Sequence, residues 1–233
     1  RTALYNYLFA RRHGGTFIIR IEDTDRARAV EGGVENILRT LAWAGLDWDE
    51  GPILEKTADK TQNPKIAEKG EYGPYIQSQR LALYQDHAKK LIKKGSAYYC
   101  FCTAERLDAL RAEQTAQKKP TMYDGLCRHL SPKEVAAKLG GGEPHVIRLR
   151  IPAEGGTSFE DTIRGRVDFE NALIDEQVLM KSDGYPTYHL ANVVDDHLMK
   201  ITHVIRGEEW LPSTPKHILL YAALGWLPPA CAA

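Results

Sequence analysis

The stretch FIIRIEDTDRAR, which starts at Phe17, constrains the fold more than any other part of the sequence. Its apolar residues are typical of a buried strand, and three acids, Glu22, Asp23 and Asp25, follow at once. Carboxylates beside a core are costly unless they face a cation, and open α/β sheets bind ligands beyond the carboxyl ends of their strands. The stretch therefore predicts a strand over 16–22 whose acidic end faces a metal ion or a ligand amine. The plainer alternative is a set of surface carboxylates that cap a turn.

The first part of the chain surrounds this strand with helices. RTALYNYLFARRHGG is typical of an amphipathic helix that ends at Gly14 and Gly15, and apolar residues at helical spacing predict a second helix up to about Gly45. The polar stretch ADKTQNPKIAEKGEYGP has no periodicity and predicts a surface loop. A third helix is expected to end at Gly95. This order of elements indicates an α/β fold with a parallel sheet.

From Ala97 onward, short strands become more frequent. The strings AYYCF, HVIRLRIP, TIRGRVDF and QVLMK are typical of strands separated by turn residues. Helices are predicted to start at Thr103 and at Ser131, where Glu134 completes a capping box. We interpret the stretch 97–180 as an inserted α+β domain.

After residue 180 the alternation of helix and strand returns. GYPTYHLANVVDDHLMK predicts a half-buried helix, HVIRGEEW a strand that runs into a charged loop, and STPKHILLYAALGW a helix with Pro215 in its first turn. No strand is expected after that helix. We interpret the tail WLPPACAA, and Arg1 inside a helical pattern without a cap, as the ends of a piece of a longer protein. The segments 1–96 and 181–233 are thus predicted to form one domain around the insertion.

Charge and composition argue against several classes of protein. The 31 basic and 31 acidic residues balance, so any contact with RNA must be local, at basic segments such as KLIKKG, AQKKP and RRH. No run of about 18 apolar residues predicts a membrane span. Four cysteines do not suit a secreted disulfide scaffold, so we expect the cytoplasm, with an organellar matrix as the alternative. The P-loop, GxGxxG and GxSxG motifs are absent from the sequence.

Three of the four cysteines cluster with a histidine. Cys100 and Cys102 are followed, after 24 residues, by Cys127 and then His129. Two close pairs of soft ligands around a helix-length excursion can enclose a tetrahedral Zn²⁺. Tyr123 is a competing oxygen ligand, and ordinary buried thiols are the alternative to a metal site.

Two further segments combine polar and apolar residues. In the helix predicted around Tyr188, polar side chains (His189, Asn192, Asp195 and Asp196) interrupt an apolar pattern. Arg206 ends a strand at the expected mouth of the sheet, where its planar fork suits a carboxylate. The plainer interpretations are a half-buried helix with a polar end and a salt bridge from Arg206 to Glu208 or Asp196.

Eight strings in the chain resemble one family. They are RTALYNYLFAR, GGTFIIRIEDTDRARA, LAWAGLDWDEGP, GPYIQSQRLALY, YDGLCR, GEPHVIRLRIP, KSDGYPTYHLANVVDDHLM and HVIRGEEWLPSTPKH. They span nearly all of the sequence, and several exceed ten residues. On these residues the chain resembles the catalytic part of the glutamyl-tRNA synthetases, which are class I aminoacyl-tRNA synthetases.

The resemblance implies a fold and a reaction. The fold is a class I synthetase Rossmann-type domain with a parallel sheet, split by an insertion that grips the acceptor end of tRNA. The reaction joins L-glutamate to ATP, with Mg²⁺ on the phosphates, and passes the glutamyl group to the terminal adenosine of tRNA(Glu). A monomer is expected.

The resemblance also implies roles for individual residues. Glu22 is expected to hold the substrate ammonium, and Arg206 the substrate carboxylate. The remaining implied positions are Tyr188 and Asn192 in the amino-acid pocket, Glu209 at ATP, Arg28 near the acceptor strand, and Cys100, Cys102, Cys127 and His129 at a zinc site that some family members have.

The sequence also departs from the family. The HIGH-type and KMSKS-type motifs and an arginine of the first strand are not in the chain, so this piece is expected to be inactive alone. One alternative is the shortened paralogue that glutamylates a modified tRNA base, although the 20 residues between Cys102 and Tyr123 are too many for it. Glutaminyl-tRNA synthetase fits YHLANVVDD less well. A non-catalytic tRNA-binding module is the alternative from another class.

Overall fold

The helices lie close to where the sequence pattern predicts them. The structure is a computed structural model that describes residues 1–25, 28, 30–55 and 65–233. Its α-helices are α1 (Thr2–Arg12), α2 (Gly33–Trp43), α3 (Leu81–Lys93), α4 (Ala104–Ala116), α5 (Pro132–Gly140), α6 (Tyr188–Leu198) and α7 (Thr214–Leu224). Short 3₁₀ turns cover Gln77–Arg80, Leu126–His129, Asn171–Leu173 and Glu208–Ser213. Among the described residues, no helix combines the length and apolar character that a membrane crossing requires.

Local capping explains several helix starts. The Thr103 hydroxyl accepts a hydrogen bond from the Arg106 amide at 3.3 Å at the start of α4. At the start of α5, Ser131 and Glu134 exchange side-chain and backbone hydrogen bonds, which confirms the predicted capping box.

The strands form three sheets. Their ranges are β1 (Gly51–Leu54), β2 (Ile66–Lys69), β3 (Ala97–Cys100), β4 (Val146–Leu149), β5 (Gly156–Asp161), β6 (Gly165–Glu170), β7 (Val178–Met180), β8 (His203–Ile205) and β9 (Ala230–Ala232). β1 pairs with β2, and β3-β4-β7 is an antiparallel sheet. In the sheet β6-β5-β9-β8, β9 is parallel to both neighbours. Helices packed on partly parallel strands confirm the predicted α/β class.

The predicted strand over 16–22 is not a regular strand. Ile18 makes a single parallel bridge to Glu50, and Ile21 makes another to Ile76. Because the two partners belong to different segments, no continuous ladder forms. The chain nevertheless packs closely here: a Cβ at Gly51, whose φ is 130°, would lie 2.4 Å from the Ile19 carbonyl oxygen.

Several strands occur where none was predicted, among them β2 and β9. Residues 66–69 of the expected loop form β2, because Ile66 and Ala67 find apolar partners on β1. Residues 58–64 of that loop lie outside the described residues. The expectation that no strand follows α7 is also wrong, because β9 runs parallel to β8 with Val204 opposite Cys231. Segments of three or four residues show too little periodicity to identify a strand without its partner.

One hydrophobic core joins elements from all three predicted segments. It contains Leu91 of α3, Leu149 of β4, Leu179 of β7, Val193 of α6 and Leu220 of α7, each at most 1% exposed. The domain boundaries at residues 97 and 180 therefore remain a prediction, since the core crosses both and the sheet β6-β5-β9-β8 crosses the second.

Candidate functional site

Helix α6 carries the polar residues of the candidate site into the interior. Its apolar residues, such as Leu190 and Val194, are fully buried in the core and fix the helix in place. The polar residues between them are buried as well: Asn192 is 5% exposed, and Asp195 is 0% exposed. Buried polar groups need partners, so the contacts of these side chains indicate their roles.

The contacts of Asp195 are structural. Its carboxylate accepts hydrogen bonds from the Arg80 Nε at 2.7 Å, the Gln77 amide at 2.9 Å and the Tyr84 hydroxyl at 2.7 Å. These donors come from the 3₁₀ turn Gln77–Arg80 and from the first turn of α3, and they compensate the negative charge of the carboxylate. Asp195 therefore links this region to α6. The same contact raises the pKa of Tyr84, after burial, which is the larger cause.

Arg206, directly after β8, lacks an acidic partner. Its Nη1 donates to the Tyr188 hydroxyl at 3.3 Å, and its Nη2 donates to the Thr214 hydroxyl at 2.6 Å. In the described part of the chain, no carboxylate lies within 4.0 Å of its guanidinium, and the expected alternative partner Glu208 pairs with Arg164 instead. A half-buried guanidinium that contacts hydroxyls alone is suited to an anionic ligand.

Within the part of the chain that the structure describes, two buried oxygen atoms near Arg206 find no hydrogen-bond partner. They are Oδ1 of Asn192 and the hydroxyl oxygen of Tyr221. Both residues, with Asp196 and Arg206, line a cavity of about 20 Å³, which has room for about one water molecule. Unpaired buried polar atoms beside an unpaired cation are characteristic of a ligand-binding site rather than of a structural core.

Glu22 is linked to this cavity through Arg20. The Arg20 Nη2 donates to Glu22 at 3.2 Å, and its Nη1 donates to Asp196 at 2.8 Å. The charges of Arg206 and Glu22 both act on the Tyr188 hydroxyl. Burial raises the pKa of Tyr188, the positive charge of Arg206 opposes this rise, and the negative charge of Glu22 adds to it. The structure thus brings Glu22, Tyr188, Asn192 and Arg206 into one neighbourhood.

The other predicted site residues lie further out. Arg28 is 83% exposed and pairs with Asp25. Glu209 is exposed in the 3₁₀ turn that follows Arg206. Asp23 accepts a hydrogen bond from the Ser78 amide at 2.8 Å, so this acid of the opening stretch is a turn partner.

Beside Tyr188, two histidines form a buried pair. Nδ1 of His189 and Nε2 of His217 are 3.0 Å apart. Burial, with the positive charges of Lys216 and Arg206, lowers the pKa of His189 to about 4, and burial also lowers the pKa of His217. Both rings are therefore neutral at pH 7 and share one proton across their contact.

The cysteine cluster lies where β3 ends, at Cys100. The thiols of Cys100, Cys102 and Cys127 lie within 4.8 Å of one another. The Tyr123 hydroxyl is 3.4 Å from the sulfurs of both Cys100 and Cys102. His129 is exposed and lies outside this group, so the structure brings together three of the four predicted ligands and adds Tyr123.

The thiols of the cluster differ in their ease of ionisation. Burial works against a charge on Cys100, but hydrogen bonds with Tyr123, with the Cys102 backbone and with Arg148 outweigh it and lower the pKa of Cys100. Burial, with the neighbouring sulfurs, raises the pKa of Cys102 to about 11. A cation at this cluster therefore meets a thiol at Cys100 that ionises more readily than the thiol at Cys102.

Some contacts were not foreseen from the sequence. Arg20 carries no motif of its own, although its position two residues before Glu22 puts both side chains on one face of an extended segment. The roles of Thr214 and Tyr221 depend on the packing of α7 against α6, and local sequence contains no signal for it.

The chain matches known proteins over nearly its whole length. Residues 1–232 match the family described as tRNA synthetases class I (E and Q), catalytic domain. The relatives include the glutamate–tRNA ligase of Clostridioides difficile strain 630, with 56% identity over 98% of this chain and 45% of that protein. The glutamate–tRNA ligase of Dehalococcoides mccartyi strain 195 is 58% identical over 98% of this chain and 43% of that protein.

Solved structures agree with these relatives. A crystal structure of a glutamate tRNA ligase from Elizabethkingia meningosepticum, in complex with its amino acid, superposes with a TM-score of 0.86 at 43% identity. The glutamate-tRNA synthetase of Elizabethkingia anophelis gives 0.87 at 43% identity, and both cover 99% of this chain and 45% of theirs. The chain thus spans less than half the length of the relatives it matches. It belongs to the class I tRNA synthetases (E and Q), and its residues match their catalytic domain.

Proposed function

We propose that the protein to which this chain belongs is a glutamate–tRNA ligase. It activates L-glutamate with ATP to glutamyl-adenylate and transfers the glutamyl group to the terminal adenosine of tRNA(Glu). The observation that carries this proposal is the Arg206 guanidinium, which contacts the hydroxyls of Tyr188 and Thr214 and has no acidic partner among the described residues. The relatives named glutamate–tRNA ligase support it.

The amino-acid pocket follows from charge complementarity. Glutamate carries one ammonium group and two carboxylates. Glu22 is assigned to the ammonium group, because its half-exposed carboxylate is the first acid after the apolar residues and contacts Arg20 at the site. Arg206 is assigned to a carboxylate, since its guanidinium can donate two parallel hydrogen bonds. Tyr188 and Asn192 complete the pocket, with the Asn192 Oδ1 available as an acceptor.

The remaining substrates are assigned to the outer residues. Glu209 is proposed to contact ATP, and Arg28, which is exposed, to contact the acceptor strand of tRNA. Mg²⁺ bound with ATP would neutralise negative charge on the phosphates. The residues described here bind and orient substrates, and no catalytic residue is assigned among them.

The cysteine cluster is proposed to hold a structural zinc ion. Three thiols within 4.8 Å of one another suit Zn²⁺, which prefers sulfur ligands in closed tetrahedral sites. For the fourth ligand, the proximity of the hydroxyl favours Tyr123 over His129. Bound zinc would tie β3 to the turn at Cys127 and supply no chemistry of its own.

Two alternative functions differ in their use of the amino-acid pocket. The paralogue that glutamylates a modified tRNA base would use the same amino-acid pocket, and a tRNA-binding module without activity would use none of it. We propose the cytoplasm as the location and a monomer as the state of the protein, and the four free cysteines support a reducing compartment.

The test is charging of total tRNA by the full-length gene product with ATP and labelled glutamate or glutamine, offered separately. The proposal expects label from glutamate alone and only when ATP is present. Label from glutamine would indicate the other specificity of the family. No label from either amino acid would favour the binding module.

A further inference from the structure

Arg20 lies at the meeting point of three carboxylates. Its side chain is 15% exposed, and its guanidinium lies 3.2 Å from Glu22, 2.8 Å from Asp196 and 3.8 Å from Asp195. Asp195 is already satisfied by three donors from the start of α3. The charge of Arg20 is therefore shared mainly between Glu22 and Asp196.

Both carboxylates depend on Arg20. In residues 1–25, 28, 30–55 and 65–233, no other cation pairs with Glu22 or with Asp196. The side chain of Glu22 is 41% exposed, and the backbone before it is held by single bridges rather than by a ladder. Without a partner, such a side chain would sample several rotamers and lose entropy when a ligand binds.

Asp196 needs a partner for a different reason. It lines the same small cavity as Arg206, and the charge of Arg206 acts on it. Burial raises the pKa of Asp196, and Arg20 is the largest influence that opposes this rise. If Arg20 did not hold Asp196, the nearest remaining cation for that carboxylate would be Arg206, which the substrate carboxylate needs.

We propose that Arg20 is a positioning residue for the amino-acid pocket, which holds Glu22 toward the substrate ammonium and keeps Asp196 away from Arg206. The inference rests on the proposed function. The planar guanidinium suits this task, because its separate nitrogens reach two carboxylates at once. A lysine ammonium has the same charge but is a single compact point on a flexible stem, and it does not reproduce the bridge.

The test compares Arg20→Lys with the wild type in the full-length protein. Glutamate affinity is measured by calorimetry, and KM for glutamate, KM for ATP and kcat by tRNA charging. Loss of one charge-assisted hydrogen bond is expected to raise the glutamate KM and Kd by about 10- to 100-fold. KM for ATP should stay within about twofold, whereas a general structural defect would change all the constants.

A double-mutant cycle separates positioning from stability. In a Glu22→Gln background, Arg20→Lys should raise the glutamate KM much less than it does alone, because the residue it positions is already altered. Arg11→Lys is the matched control: Arg11 pairs with Asp49 at 2.7 Å rather than with a carboxylate of the pocket, and its replacement should leave the glutamate KM within about twofold.

Every outcome of these experiments either supports the inference or overturns it. A folded Arg20→Lys variant that binds glutamate like the wild type overturns the inference, and so does an effect that adds fully to that of Glu22→Gln. If Arg20→Lys fails to fold, it is replaced by the double variant that combines Arg20→Gln with Asp196→Asn and so carries neither buried charge. The same loss of glutamate affinity is expected for this variant. Wild-type protein that binds no glutamate contradicts the proposed function itself, which distinguishes the two failures.

Discussion

The cysteine cluster and the charged pocket are built in opposite ways. The cluster draws its sulfurs from a segment that runs from Cys100 to Cys127, at the end of one strand and in the turn that follows α4. The pocket draws Glu22 from the first segment and Arg206 from the last, almost the full chain apart. Local sequence can specify the first arrangement, whereas the second exists only after the helices and sheets have packed. Substitutions in the two regions should therefore have different effects.

The largest expected effect is on the pocket. Arg206→Ala in the full-length protein removes the proposed partner of a substrate carboxylate and leaves that charge unpaired. Truncation of such a pair costs about 2–5 kcal/mol, so kcat/KM for glutamate should fall by roughly 30- to several thousand-fold. The cysteine cluster should keep its metal in this variant.

Arg206→Lys serves as the control, because it keeps the charge without the fork and should lose less activity. Steady-state charging kinetics at varied glutamate concentrations measure both variants. Unchanged kinetics for Arg206→Ala would remove this residue from the pocket.

The next effect concerns the cluster. We expect about one zinc per chain by elemental analysis, and Cys100→Ser should abolish it, because fewer thiols remain to hold the ion. Removal of the metal by a chelator should lower stability by about 3 kcal/mol when free zinc stands at about 100 times its Kd. Cys231→Ser, outside the cluster, is the matched control.

The fourth ligand can be identified with the same assay. Tyr123→Phe should weaken zinc retention, whereas His129→Asn should not, because the structure puts the Tyr123 hydroxyl beside the sulfurs. The reverse result would restore His129 as the ligand. A metal-free but folded wild-type protein would make the cysteines ordinary core residues.

A smaller effect tests the pocket by pH. The pKa of His189 is lowered from 6.5 to about 4, so the unfolded chain binds a proton that the folded state excludes. The stability that the neutral ring contributes is present above about pH 6.5 and is lost as the pH falls toward about 4. The free energy of unfolding should drop by on the order of 2–3 kcal/mol over that interval.

Urea unfolding at several pH values measures this loss, and His189→Gln, which cannot take up the proton, should reduce it. A loss of the same size in His189→Gln would mean that other groups cause the acid sensitivity.

The smallest effect belongs to neither region. Ser131→Ala removes half of the capping box of α5 and should cost about 1 kcal/mol in the free energy of unfolding, without a change in the glutamate KM. Ser131→Thr should keep most of the stability. Denaturant unfolding and charging kinetics, measured together, would reveal any unexpected link between α5 and the pocket.

The same contrast explains which features the sequence predicts. The start of α4 at Thr103, the capping box of α5 and the cysteine cluster depend on residues close in sequence, and all three were visible there. β2 and β9 were not, because each needs a distant partner to become a strand. The sequence around Asp195 did not indicate its three hydrogen-bond donors, because they lie more than a hundred positions away in the chain.

The pocket itself lies between these cases. The residue pattern indicated Glu22 and Arg206 as candidate ligand contacts, but their roles in one amino-acid pocket with Tyr188 and Asn192 came from the resemblance to a family. Arg20, which joins Glu22 to Asp196, became visible only through these two contacts.

The most direct test of the account locates the glutamate that the full-length protein attaches to tRNA. Labelled product is digested with ribonuclease A, which cleaves after pyrimidines and so releases the terminal adenosine with whatever it carries. The account predicts that the label is recovered as glutamyl-adenosine and that Arg206→Ala strongly slows its formation. Label on an internal fragment that contains a modified base, or no label with active wild-type protein and ATP, would contradict the account.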